Sequence, residues 1–533
     1  MHEQISLGTL LSITGRAFIE YACNLSPEEL QGRIEETTPL SSEKETALQV
    51  LIDCASRGYQ PHYSLEDLRY GLVGFLTDYN HQFTDTVTLN QIRELAGGSF
   101  YETRRTDPIA KKLAILARDA YPFYLIPAEP NQPRNEQSIT MSELSYYARA
   151  VSHTSPANTE LVELLPTDPI LSQLFPKQAG ETEINRAYAI HGFNTGSGSV
   201  AQASLFAYGI IQQTFAKLAT TKGTFTCQEF VNECLRNVEL LKKLIAGEQK
   251  EVPLITAVSG LELQDGQVIT TEWGILRKAR DIEKMWLKSP YQTRRDEVDV
   301  VFESKFGMKM IVGDDIGSIP FPQIDNQSDK ETEEKLAIIS AIPQIVLNKT
   351  VRILPLNSIL IPPFETGSSR AFTWTNPYPI KDTLTNQEIT SIEEFATTVA
   401  SHDYKKIIIS FRRLASAVLR TDITDGFIDL VVIWENLFGT DGGEVKFRIA
   451  LSMSKLLGET ESERQLIFKQ VSELYVHRSR IVHGSRHYSW REVGSFWEQS
   501  LELTTKALRK LFNERPELLA FNSDTRSKKL GLN

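Results

Sequence analysis

The sequence predicts a multidomain protein, mostly α-helical, with a β-containing middle. Three observations carry that expectation. The chain has 533 residues, more than one hydrophobic core holds, since single cores stop growing at about 250–300 residues. Apolar residues recur at intervals of three and four over both ends, the period of a helix with one buried face. Between residues 251 and 389 the pattern shortens toward the alternation of strands.

In order along the chain, residues 1–126 read as a helical domain. Leu10, Leu11, Ile13, Phe18 and Tyr21 open its apolar stripe, and Leu48, Leu51, Ile52, Leu65, Leu68, Leu72 and Phe75 continue it. Thr88 is expected to cap a helix over 89–96 that Gly97-Gly98 ends, with a second helix over 108–120. This spacing suits a helix-turn-helix, and it suits two ordinary packed helices as well. Pro, Asn and Gln crowd 127–138, a linker composition. A second helical unit, 139–250, follows with helices near 140–150, 201–219 and 227–246.

The middle region, 251–389, opens with two expected strands over 261–270 around Asp265-Gly266, because glycine supplies the positive φ of a tight hairpin. Further strands are expected at 298–302, 308–312, 344–353 and 359–361, and the charged run 325–335 reads as a solvated loop. Helical spacing returns over 390–521, with helices at 392–419, 427–438, 445–457, 461–483 and 490–512. The polar tail 522–533 is expected to fray.

Composition narrows the function. With 41% hydrophobic and 23% charged residues, collagen-like, disordered and disulfide-stapled classes are excluded. Cys23, Cys54, Cys227 and Cys234 match no metal-ligand spacing, and Met1 is not followed by a secretion signal, so a cytoplasmic location is expected. Apolar runs fall short of the roughly 20 residues that cross a bilayer. The net charge of −11 argues against nonspecific coating of nucleic acid. Charge is uneven, however: residues 391–533 carry about +2 and the rest about −13. A polyanion meets least repulsion at the C-terminal part.

There the helix 461–483 carries Ile467, Phe468, Val471, Leu474, Tyr475, Ile481 and Val482 as one apolar stripe, and Arg478 stands where the stripe should continue. A guanidinium on a buried seam requires a carboxylate, a phosphate ligand or a wet cleft. His483, followed by Gly484, ends the same helix, where an imidazole is placed for proton transfer. The two side chains are about 140° apart around the helix and converge only through the reach of Arg or across a helix pair. Glu435, in the apolar helix with Val431, Val432, Trp434 and Phe438, also requires a partner, with Arg478 or Arg448 as the candidates.

Three blocks carry a family resemblance: 427–439 (FIDLVVIWENLFG), 445–451 (VKFRIAL) and 474–484 (LYVHRSRIVHG). Together they resemble the ApeA-like branch of the HEPN superfamily, over about residues 392–512. The resemblance implies a C-terminal HEPN-type helical bundle that forms a homodimer, lines one cleft with Arg and His from both copies, and cuts RNA without a metal or other cofactor. It implies a role as a toxin in antiphage defence or abortive infection, with a phage-derived trigger and no membrane partner. Arg478, His483 and Glu435 would then be catalytic, with Glu435 orienting. Arg480, Arg486, His477 and His487 crowd the same helix end, where they would track an RNA backbone while Tyr475, Tyr488 and Trp490 would stack bases. The competing expectation for these residues is a solvated helix face with ordinary core aromatics. Ser479 departs from the Asn, Asp or His that many superfamily members carry after the motif Arg. The acidic N-terminal region would regulate or sense. The competing expectation is a noncatalytic HEPN-like dimer that binds a ligand or nucleic acid in a defence or toxin–antitoxin system.

Two other signals carry less. Gly196-Ser197-Gly198 before an expected helix imitates a dinucleotide-binding loop, without the surrounding strand–helix order. His2, His62, His81, His153, His191 and His402 show no metal-ligand spacing.

Overall fold

The computed structural model describes residues 4–60, 62–77, 87–126, 155–177, 190–193, 199–287, 298–312, 322–324, 327–347, 353–364, 381–440 and 444–532. They form a mostly helical protein with a small sheet, divided into two compact units. The first holds Met1–Pro253, Gly307–Asp325 and Leu360–Ser369, and the second holds Leu254–Phe306, Asn326–Ile359 and Arg370–Asn533. Among the described residues no helix is long and apolar enough to cross a membrane.

In the first unit, helices start where a hydroxyl or carboxylate accepts an otherwise unpaired N–H, as at Ser26, Ser64 and Thr226. Pro108–Ala120 packs on Pro156–Leu164 and Cys227–Ile245, whereas Thr88–Leu95 packs on Ser42–Gly58 and Arg16–Ala22. Val87, not Thr88, holds the cap position of Thr88–Leu95, and no side chain caps it. The helix expected from 201 starts at Phe206, because Ser199–Gln202 is a strand paired with Ile190–Phe193. The residues after Gly198 therefore extend rather than open a helix. Gly196–Gly198 themselves, the linker 127–138, the helix expected at 140–150, and His2, His81 and His153 lie outside the described residues.

Among the described residues one five-stranded sheet, most of it in the second unit, is built of β1 Lys250–Ser259, β2 Val268–Thr271, β3 Gly274–Lys278, β4 Val300–Met308 and β5 Leu354–Leu360. They lie in the order β5-β1-β4-β3-β2, with β2–β3 and β3–β4 antiparallel. Gly266 has the positive φ expected of it, at 80°. The pairing around it differs from expectation. Leu261–Glu262 pairs in parallel with Asp382–Thr383, and β2 turns back onto β3 through Thr271–Gly274. A positive φ fixes a local turn, whereas strand partners are chosen by distant segments.

The helices of the second unit are α1 Asp281–Trp286, α2 Gln327–Val346, α3 Asn386–Ala400, α4 Ile408–Leu419, α5 Ile423–Phe438, α6 Val445–Leu457, α7 Glu461–Val482, α8 Trp490–Asn513 and α9 Ser523–Leu532. The stretch expected as one helix over 392–419 is thus broken between α3 and α4. The charged run is not a loop: from residue 327 it forms the first turns of α2. Ile338, Ile339, Ile342 and Ile345 farther along α2 are buried, so the acids and lysines are the wet start of an amphipathic helix. Gln344–Val346, expected in a strand, ends the same helix.

Helix α5 is the centre of this unit, packed on α4, α8 and α9 with Phe427, Leu430, Val431, Trp434, Leu437 and Phe438 fully buried. The indole of Trp434 donates to Thr504 Oγ1 at 2.8 Å. Of the tail expected to fray, Ser523–Leu532 is helical. Helix α9 inserts Arg526, fully buried, whose guanidinium donates to the carbonyls of Leu518, Leu437 and Phe521 at 3.0, 2.7 and 2.7 Å. Three carbonyls, of which that of Leu518 also accepts from Phe521 N at 3.2 Å, find a donor in a residue that reads as solvated in a polar segment.

Candidate active site

Helix α7 is fixed at both ends. Thr460 and Glu463 form a capping box at its start, and His483 is its C-cap. The chain leaves α7 through a Schellman turn: Gly484 N donates to Ile481 O and Ser485 N to Arg480 O, both at 3.0 Å, with Gly484 at φ 63°. No atom crowds the place a Gly484 side chain would take, so glycine is required by the backbone sign alone. The turn leaves His483 exposed to solvent.

Along α7 only Val471 and Leu474 are fully buried. Ile467, Phe468, Tyr475 and Ile481 are half-buried against the bundle core, and Val482, expected in the stripe, is exposed. Arg478 occupies the seam, with its side chain 20% exposed. Its Nη2 donates to Glu435 Oε2 at 3.4 Å, while its Nε is buried and has no partner. Tyr475, three residues earlier on the same face, donates its hydroxyl to Glu435 Oε1 at 2.9 Å. Burial, and then this bond to a carboxylate, push the Tyr475 phenol up to about 12, so it remains a donor at neutral pH. Of the two partners expected for Glu435, Arg478 is the one found; Arg448 reaches Asp524 at 3.9 Å.

The loop after α7 is tied back by a second cluster. His477 Nδ1 is 2.8 Å from Tyr488 Oη, and its ring stacks on Phe496 at 4.2 Å between centroids. Phe496 also meets Tyr488 edge-on at 5.3 Å. Burial, then the guanidinium groups of Arg480 and Arg486, hold the His477 imidazolium below its ordinary range, against Glu473 and Glu492. Arg486 lies over the Tyr488 ring at 4.7 Å and 4.0 Å from Glu492 Oε1. Arg480 and His487 are exposed. From His477 to Arg491 the chain carries four Arg, three His and no carboxylate.

The structure thus brings Glu435, Tyr475 and Arg478 into one polar cluster on the seam and sets His483 about 7.5 Å farther along the helix axis by the rise of 1.5 Å per residue. Sequence reasoning left out Phe496, the platform for His477, and Arg491, which lies over Trp490 at 5.3 Å. The bond from Tyr475 to Glu435 had a legible signal, since residues three apart on a helix share a face. Phe496 had none, because its contact with His477 joins two helices. The cleft of the second unit lined by Glu394, Thr398, Arg509 and Asn513 lies among α2, α3 and α8. Among the described residues no three His, Cys, Asp or Glu side chains are grouped to hold a metal. No protein-family model, curated protein or solved structure matches the chain.

Proposed function

We propose that the chain is a HEPN-type, metal-independent RNA endonuclease that works as a homodimer through its C-terminal helical bundle, in antiphage defence by abortive infection. One observation carries the reading: a half-buried guanidinium with an unpartnered Nε stands on the same helix end as an exposed imidazole whose backbone is the C-cap of that helix. A phosphate in reach of Arg478 would satisfy Nε, and a guanidinium grips phosphate oxygens with its fork.

In the proposed reaction the ribose 2′-oxygen attacks the adjacent phosphorus and the bond to the 5′-oxygen breaks. His483 of one copy takes the 2′-hydroxyl proton, and His483 of the second copy gives a proton to the leaving 5′-oxygen. Arg478 neutralises the charge gathered on the phosphorane oxygens. Glu435, held by Tyr475, orients Arg478. The products are a 2′,3′-cyclic phosphate and a 5′-hydroxyl. The N-terminal region, residues 1–389, is the sensor or regulator in this reading.

A noncatalytic dimer that binds a ligand or nucleic acid is the second reading, and the ion pair that already engages Arg478 favours it. Purified full-length protein incubated with total RNA in EDTA separates the two. Fragmentation that Arg478→Ala and His483→Ala both abolish supports the nuclease. RNA that stays intact with every activating lysate, together with phage protection unchanged by either substitution, supports the second reading.

A further inference from the structure

Trp490 is 74% exposed, the most exposed of the large apolar side chains described. It opens α8, where the helix start is already secured: Ser489 accepts from Glu492 N, and the Glu492 carboxylate accepts from Ser489 N at 2.8 Å and Ser489 Oγ at 2.7 Å. The helix start therefore does not depend on an indole at this position, and exposing one forgoes its burial. The other aromatic side chains of this helix end are occupied. Tyr475 is bound to Glu435, and Tyr488 is enclosed by His477, Phe496 and Arg486. Trp490 alone among them presents most of its ring to solvent, with the Arg491 guanidinium 5.3 Å from its centroid.

We propose that Trp490 and Arg491 form a stacking platform for one unpaired base of a single-stranded RNA whose backbone runs along Arg480, Arg486 and His487. Charge selects the occupant. The stretch from His477 to Arg491 holds no carboxylate, and Glu492, the first one after it, is committed to the helix cap and to Arg486. A projecting π face in a stretch with four Arg and no carboxylate fits a polyanion that carries flat rings. A projecting indole stacks only on a base that has left its own stack, which selects single strands over duplex. The inference rests on the nuclease reading for the position of the scissile phosphate, and its test does not require cleavage.

The test uses the full chain bearing Arg478→Ala, which blocks turnover, with fluorescence anisotropy of a labelled oligoadenylate. Adding Trp490→Ala should weaken single-strand binding about tenfold, within the range measured for base–aromatic stacking. Trp490→Phe should weaken it less. The same strand annealed to its complement, and inorganic polyphosphate, should bind the two proteins alike. Equal single-strand affinity with and without Trp490→Ala overturns the platform. So does a change in sedimentation on Trp490→Ala that leaves RNA binding untouched, because Trp490 then belongs to a contact between copies. If Trp490→Ala weakens binding and the unsubstituted protein never cuts RNA, the platform stands and the nuclease reading fails.

Discussion

Arg478 and Glu435 meet through one contact, Nη2 to Oε2 at 3.4 Å, and the Nε of Arg478 is left buried without a partner. A fork-on-carboxylate pair makes two parallel bonds, so this pair is half-made. Arg478→Ala should abolish cleavage while lowering unfolding free energy by no more than about 1 kcal/mol, the scale of partly exposed pairs. Arg478→Lys should not restore cleavage, because an ammonium lacks the fork. Single-turnover cleavage and urea melts on the same preparations check both halves. A variant that stays active contradicts the assignment.

Gly484 holds His483 in place through a backbone sign that side chains resist. Gly484→Val should cost about 1–2 kcal/mol and reduce cleavage, since a β-branched residue pays most in the left-handed region. Gly484→Asn should retain more of both. Paired melts and cleavage rates show whether the ranking holds.

His477 sets a pH dependence for the loop after α7. Its folded value is depressed by burial and by Arg480 and Arg486, with Glu473 and Glu492 opposing, so the unfolded chain binds the proton more readily. The contribution is complete above the unfolded value of about 6.5 and is lost as pH falls through the lower folded value. Thermal melts from about pH 7.5 to about pH 5 should fall more steeply for the unsubstituted protein than for His477→Gln. Parallel slopes would remove His477 from this role.

Arg526 ties α9 to the bundle through three carbonyls. Burial pushes its guanidinium down to about 10, which leaves it charged at neutral pH. Arg526→Met should destabilise the second unit by about 3 kcal/mol, because it strands buried acceptors. Urea unfolding followed by far-ultraviolet circular dichroism checks this.

The helices of the C-terminal bundle were legible because each buries one stripe at a period of 3.6, as Phe427, Leu430, Val431 and Trp434 do in α5. The carboxylate partner of Arg478 was legible for the same reason: an ion among apolar neighbours must be paired. Three features were not. The start of α2 reads as loop because its buried isoleucines come only after its charged turns. The partners of Leu261–Glu262 and β2 depend on strands far away in sequence. Arg526 sits in a polar segment, and nothing local announces that Leu437 and Phe521 offer it carbonyls.

Product-end chemistry tests the central claim most directly. RNA incubated with the full-length protein in EDTA should yield fragments ending in a 2′,3′-cyclic phosphate and a 5′-hydroxyl by mass spectrometry, and His483→Ala should yield none. Fragments with 3′-hydroxyl and 5′-phosphate ends, or cyclic ends that persist in His483→Ala, would contradict it.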